Sequence, residues 1–156
     1  MTVRQATAID AIADAYTQRL AALDPVSATY LGISGHDHEM TDYSPAGHAE
    51  MAQLNRDTLA ELAKATPADD TDRVTLAAMK DRLSLSLELD EAGEFLSDLN
   101  VIASPLQGLR DVLDVMPTAT TDDWANIAAR VSKVPWAVHG YIESLRAAAA
   151  RGLVAA

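Results

Sequence analysis

Apolar residues recur along this chain at spacings of three and four, the period of a helix face. Between Ala6 and Leu23 they fall at Ile9, Ile12, Ala13, Tyr16, Leu20 and Leu23, which predicts a first helix. Asp24-Pro25 closes it, because the residue before a proline is pushed out of the α region. Pro25 then opens a short second helix through Val26, Ala28, Thr29 and Leu31. Ser44-Pro45 reads as the N-cap and first helical residue of a third helix, which runs to about Ala65 and buries Met51, Leu54, Thr58 and Leu62. After a break at Pro67 to Asp70, the carboxylates of Asp69, Asp70 and Asp72 favour the positive end of the next helix. Val74 to about Leu96 is read as the longest element. Leu83, Leu85, Leu87 and Leu89 alternate within it as a strand would, but Leu76, Met79, Leu83 and Leu87 also form a helical stripe among good helix formers. Helix is the preferred reading.

Ser97 to Ala103 is expected to be a loop, and Ser104-Pro105 repeats the cap-plus-proline signature. A short helix follows through Leu106, Leu109, Val112 and Leu113, closed by Met116-Pro117. Thr121-Asp122-Asp123 is read as the cap of a helix carrying Trp124, Ile127, Ala128 and Val131. Pro135 is read as opening a separate last helix with Val138, Ile142, Leu145 and Ala149 on one face. The expected fold is therefore all-α, an irregular multi-helix domain of about seven helices spanning residues 1–156 as a single domain. No repeat of fixed period is visible.

Composition sharpens this picture. Ala supplies 30 of the 156 positions and aromatics only 4%, so the helix faces should be small and approach one another closely. Hydrophobic residues at 49% exclude a disordered chain. With 12 Lys and Arg against 23 Asp and Glu, the net charge is −11, and the cations stand singly. A phosphate-binding surface needs them clustered, so nucleic acid is not an expected partner, and an anionic membrane surface is disfavoured by the same sign. There is no Cys, which removes disulfides, thiolate catalysis and Cys-ligated zinc. Met1-Thr2-Val3-Arg4-Gln5 leads into a stretch broken by Asp10 and Asp14 rather than into a signal core, and the expected location is cytoplasmic.

Candidate chemistry is concentrated in Gly32 to Ser44, the one long irregular stretch. It holds His36-Asp37-His38-Glu39, with Asp42 and Ser44 following and His48 nearby. Two His separated by one residue beside carboxylates could ligate a divalent metal. The same side chains also serve loops by bonding to local backbone groups, or could line a cleft. His36, Asp37, His38, Asp42 and Ser44 are the residues of such a cleft-facing loop; no catalytic residue and no metal ligand is assigned. His48 and His139 do not complete a zinc-protease pair, and neither a phosphate-cradling glycine loop nor a nucleophile elbow occurs. Trp124, Trp136 and Tyr141 are expected in the core, while Tyr16, Tyr30 and Tyr43 stand near the first helix and the polar loop.

Leu23-Asp24-Pro25-Val26-Ser27-Ala28-Thr29-Tyr30-Leu31-Gly32 resembles the opening of a bacterial family called domain of unknown function 885. The family's polar loop ends in Asp, one residue, then Ser, as does Asp42-Tyr43-Ser44, and Trp124 to Val131 with Pro135 and Leu145 is similar to a later helix–turn–Pro–helix segment. The resemblance implies a protein several times longer, mostly helical and similar to gluzincin-type zinc metallopeptidases. It places the zinc, with its His and Glu ligands, in a motif beyond anything in this sequence, so no cofactor is expected in this chain. On that reading the chain, ending at Arg151-Gly152-Leu153-Val154-Ala155-Ala156, is an N-terminal helical portion. Its partner would be the remainder of the parent polypeptide or a second copy. The other reading is a free-standing acidic helical module that binds a protein partner without catalysis.

Overall fold

Five of the helices in the described residues begin where a side chain takes up a free amide. In the computed structural model, which describes residues 4–154, Thr7 caps α1 (Ala8–Leu23). Its hydroxyl accepts the Asp10 N–H at 3.2 Å while the Asp10 carboxylate accepts the Thr7 N–H at 2.8 Å. Asp24 ends α1 and caps α2 (Pro25–Tyr30) by accepting the Ser27 N–H at 3.1 Å. Ser44 caps α3 (Pro45–Leu62) and Asp69 caps α4 (Asp70–Ala92). Gly93, at φ 85°, then turns the chain into the single turn of α5 (Glu94–Ser97), a conformation that glycine adopts without steric cost. Ser104 precedes α6 (Pro105–Asp114), and Thr120 caps α7 (Thr121–Ala150) in a capping box with Asp123.

The described residues thus form seven helices and no strand, as the periodicity predicts. The divisions differ in places. The helix expected from Val74 starts at Asp70 and stops at Ala92, so Asp69, Asp70 and Asp72 are its cap and first turn. The third helix ends at Leu62 rather than Ala65. The last cap is Thr120, one residue before the expected Thr121. Pro135 opens nothing: it lies inside α7, which at 30 residues, not α4 at 23, is the longest element. An interior proline removes one helix hydrogen bond and ordinarily costs about 3 kcal/mol. Here it faces solvent, while Arg130 before it and Ser144 after it are both buried on the opposite side. Tertiary contacts on either side hold the helix through the proline.

The strand-like alternation from Leu83 to Leu89 resolves as a helix with Leu83 buried and Leu85 and Leu89 exposed. Trp124 and Trp136 are exposed, against their expected place in the core, whereas Tyr141 is buried and donates its hydroxyl to the Asp98 carbonyl at 2.6 Å. On α7 the inward register runs Arg130, Ala137, Tyr141, Ser144 and Ala148, and both tryptophans fall off it.

α1, α3 and α4 pack together, α2 lies on α6, and α7 runs against α3, α5 and α6. Alanines at the contacts, among them Ala21, Ala52, Ala137 and Ala148, are buried, as the composition leads one to expect. A core cluster of Val26, Met40, Leu109, Val112 and Ala137 joins α2, the following loop, α6 and α7. The N-terminal end is pinned by charge: Arg4 pairs with Asp10 at 2.6 Å, Asp69 at 2.6 Å and the buried Asp72 at 2.5 Å. Among the described residues no helix is long and apolar enough to cross a membrane. Met1, Thr2, Val3, Ala155 and Ala156, which bear on the reading of the two termini, lie outside the described residues.

Candidate functional site

The segment between α2 and α3 is organised from outside itself. Arg130, on α7, is 0% exposed and directs its guanidinium into this segment. Its Nε donates to the Glu39 carbonyl at 2.8 Å, Nη1 to the Thr29 hydroxyl at 2.8 Å, and Nη2 to the carbonyls of His36 at 2.9 Å and Pro25 at 3.2 Å. These acceptors are neutral. Burial lowers the Arg130 pKa, while the charges of Asp37 and Glu39 act in the opposite direction. A buried cation satisfied by carbonyl oxygens fixes the path of the backbone that bears them.

Three further contacts from α7 extend this clamp. Lys133 forms an ion pair with the Glu39 carboxylate, which holds that carboxyl below the usual glutamate range. Ser144 donates to the Tyr43 carbonyl at 2.6 Å. Gly140 lets the helix approach the loop end, since a Cβ there would stand 3.0 Å from the Ser44 nitrogen. Gly47 is tighter still: a Cβ would meet the Asp42 carbonyl oxygen at 2.1 Å.

Within this frame the sequence-identified residues separate. The Asp37 carboxylate lies 3.2 Å from the Thr29 hydroxyl. His36 contributes its carbonyl to Arg130. His38 is exposed, with Nε2 3.1 Å from the Glu39 carboxylate. Asp42 accepts the Ser44 N–H at 2.9 Å, and Ser44 accepts the Gly47 N–H at 3.2 Å. Asp37, Asp42 and Ser44 therefore spend polar atoms on backbone or neighbouring side chains, the local bonding that favours such residues in loops. Among the described residues no group of three or more His, Asp or Glu is placed to hold a metal ion. A catalytic zinc takes three protein ligands, so this donor set does not fit one.

At its α3 end the loop borders a cavity of about 170 Å³, lined by Asp24, Thr41, Asp42 and Tyr43 with His48 and Phe95 among others. His36, Asp37, His38 and Ser44 are not on its wall. Thr41 donates to Asp24 at 2.5 Å and accepts the Val26 N–H at 3.1 Å. Burial, with the Asp24 charge adding to it, pushes the Tyr43 phenol up to about 12. The His48 ring stacks on Phe95 with centroids 6.4 Å apart and planes 5° from parallel. Burial lowers its pKa against the opposing pull of Asp90 and Asp42.

Sequence reading missed Arg130 as the organiser. The apolar stripe of the last helix runs through Val131, Val138, Ile142 and Leu145, and Arg130 lies off it, in the register of Ala137 and Ser144 that the structure buries. A single arginine off an apolar stripe has the pattern of a surface residue, so nothing in the sequence marks it.

No curated protein matches the chain at a significant level. The sequence profile of the family described as "Bacterial protein of unknown function (DUF885)" matches residues 25–156, a span that includes Pro25, Thr29, the loop and all of α7. The chain, clamp included, belongs to that family.

Proposed function

We propose that this chain is the helical, non-catalytic portion of a zinc-peptidase-like protein, in which the clamped loop forms part of a rigid wall beside the substrate cleft. The observation that carries this reading is the use of the loop's polar atoms. Asp37, Asp42 and Ser44 are engaged with Thr29 and with backbone amides, and the loop's path is set by Arg130. A wall needs that rigidity, whereas a reacting centre needs side chains converging on one point. Family membership over residues 25–156 supports the reading, and the resemblance to gluzincin-type peptidases supplies the reaction class. Because these donors do not fit a catalytic zinc, no step of the hydrolysis is assigned to them.

The second reading, an acidic module that docks a protein partner, draws on the exposed Leu99, Val101, Ile102, Leu106 and Trp136. One experiment separates the two. The native gene product, recovered from its host by antibody against this chain, is measured for length, zinc and peptide hydrolysis. A product several times longer, with zinc retained outside residues 1–156 and hydrolytic activity, supports the first reading. A product of this length, inactive and zinc-free, supports the second. Stoichiometric zinc on this chain alone overturns the non-catalytic assignment.

A further inference from the structure

Phe95 stands where three spaces of this molecule meet. It lines a groove of about 550 Å³ together with Leu89, Leu99, Leu153 and Val154. It also lines the cavity of about 170 Å³ at the start of α3 and a void of about 20 Å³ between α3 and α4. Among the described residues, Phe95 alone belongs to the walls of both the groove and the cavity. Its ring is the partition between them.

Little holds that partition in place. α5, which carries Phe95, has four residues, buries none of them and starts without a side-chain cap. Gly93 precedes it, and beyond it the Asp98 carbonyl is held by the Tyr141 hydroxyl. Between those two points the Phe95 ring lies flat against His48, a stacked pair at an ordinary aromatic separation. Segments with few buried contacts open at low free-energy cost, so this stack decides whether the ring stays.

The His48 side of the stack is poorly built to carry a charge. Its Nε2 is buried with no hydrogen-bond partner. An imidazolium has an N–H on both ring nitrogens, so protonation would bury a charged donor with nothing to accept from it. The loop brings Asp42 and Tyr43 to the walls around His48, the α1–α2 junction brings Asp24, and α4 brings Asp90. α5 adds only Phe95 to these walls, its neighbours Glu94 and Asp98 facing the groove beyond, and no Lys or Arg lines them. Burial depresses the His48 pKa, and Asp90 and Asp42 pull the other way.

We propose that the His48–Phe95 stack is an acid-released latch: protonation turns the His48 ring out to water, Phe95 loses its partner, and the groove and cavity become one continuous pocket. The direction follows from linkage. A hydrated His48 in the open form takes up its proton near 6.5, whereas the closed form takes it up only at lower pH. The closed form therefore keeps its full advantage above about pH 6.5 and loses it as pH falls toward the lower value. This latch does not depend on the peptidase reading.

The test is an NMR titration of the full chain from about pH 7.5 to about pH 5, which stays above the ordinary carboxylate range of about 3.9–4.3. The His48 ring reports protonation. Met51 lines both inner spaces, so broadening of its methyl signal by a soluble nitroxide reports entry. His48 should titrate with a midpoint below 6.5, and the Met51 broadening should rise severalfold with the same midpoint. His48→Phe keeps a ring against Phe95 and removes the titrating group, so Met51 broadening should stay at its pH 7.5 level throughout. Phe95→Leu keeps apolar bulk without the stack and should give the acid-level broadening already at pH 7.5, a readout independent of how the first variant folds. A His48 midpoint at or above 6.5, Met51 broadening that ignores pH, a pH response that survives in His48→Phe, or parent-like protection of Met51 in Phe95→Leu overturns the proposal.

Discussion

Two irregular segments of this molecule end in the same Ser-Pro signature and are held in opposite ways. The segment from Leu31 to Ser44 precedes α3, and its Met40 and Thr41 are buried. The segment from Asp98 to Ser104 precedes α6, and its Val101 and Ile102 are 93% and 84% exposed. In the first, order comes from a distant helix, through Arg130, Lys133 and Ser144. In the second it comes mainly from one side chain: the Asn100 amide oxygen accepts the N–H groups of Ile102 at 2.9 Å and Ala103 at 2.7 Å. The longer-range tie is the Tyr141 hydroxyl on the Asp98 carbonyl, with the capping Gln107 donating to the Asn100 carbonyl at 3.1 Å. Polar composition therefore does not decide which loop is fixed. Where the donors land does: Arg130 holds two carbonyls inside the first segment, those of His36 and Glu39, whereas Tyr141 holds the second only at its first residue, Asp98.

The largest expected effect follows from removing Arg130. Arg130→Met removes four hydrogen bonds but leaves only the Glu39 carbonyl without another partner, since the His36 carbonyl keeps the Glu39 N–H, the Pro25 carbonyl keeps the Thr29 hydroxyl, and that hydroxyl keeps Asp37. With hydrogen bonds to a charged group worth about 1.5–3 kcal/mol and the other acceptors still satisfied, the loss should be on the order of 3 kcal/mol. Arg130→Lys should recover little of it, because an ammonium lacks the planar fork that reaches several acceptors at once. Urea denaturation measures both, and a loss below about 1 kcal/mol for Arg130→Met would break the comparison.

Next in size is the close approach at the loop's exit. Gly47→Ala brings a Cβ to 2.1 Å from the Asp42 carbonyl oxygen, so backbone must move. The expected destabilisation is about 2–3 kcal/mol, even though alanine in a helix is favoured over glycine by about 1 kcal/mol. A variant as stable as the parent would show that Asp42 and α3 are not held together as described.

How much of this was legible beforehand differs by residue type. Helix starts at Ser44-Pro45 and the burial of Leu54, Thr58 and Leu62 follow from local capping and a 3.6-residue period, which depend only on near neighbours in sequence. Pro135 misled because its cost is local while its compensation is tertiary, from buried groups on either side of it. The clamp was opaque for the same reason: Arg130 and the carbonyl of His36 are 94 residues apart in sequence. The polar loop attracted attention through His36, Asp37 and His38, yet its backbone carbonyls carry the long-range contacts with Arg130. Carbonyls are the same at every position, and their partner Arg130 has the sequence pattern of a surface residue, so sequence marks neither.

A smaller effect sharpens the comparison electrostatically. The Glu39 carboxyl lies below its usual range because Lys133 donates to it, with desolvation opposing. A carboxyl depressed in the folded state contributes stability that is complete above its unfolded value, about 4.3, and is lost as pH falls through the lower folded value. Both partners are well exposed, so the pair is worth less than about 1 kcal/mol. Lys133→Met should lower stability at pH 7 by up to that amount, with the deficit shrinking away as pH falls through the folded Glu39 value, so that the acid limb below pH about 4.5 is flatter in the variant. An acid limb identical in parent and variant would remove Lys133 from the clamp.

The smallest effect belongs to the other segment. Val101 and Ile102 contribute almost no buried surface, so replacing both by Ser forfeits little of the burial that makes an apolar residue worth about 1.5–3 kcal/mol. Asn100 still accepts the amides at 102 and 103, and Tyr141 still donates to Asp98, because neither contact uses the altered side chains. Stability should therefore change by no more than about 0.5 kcal/mol, while any association driven by these exposed groups should weaken. Denaturation and sedimentation of the double variant read the two quantities separately. A loss approaching that of Arg130→Met would mean that Val101 and Ile102 are buried in solution, and the contrast between a clamped loop and an open one would fail.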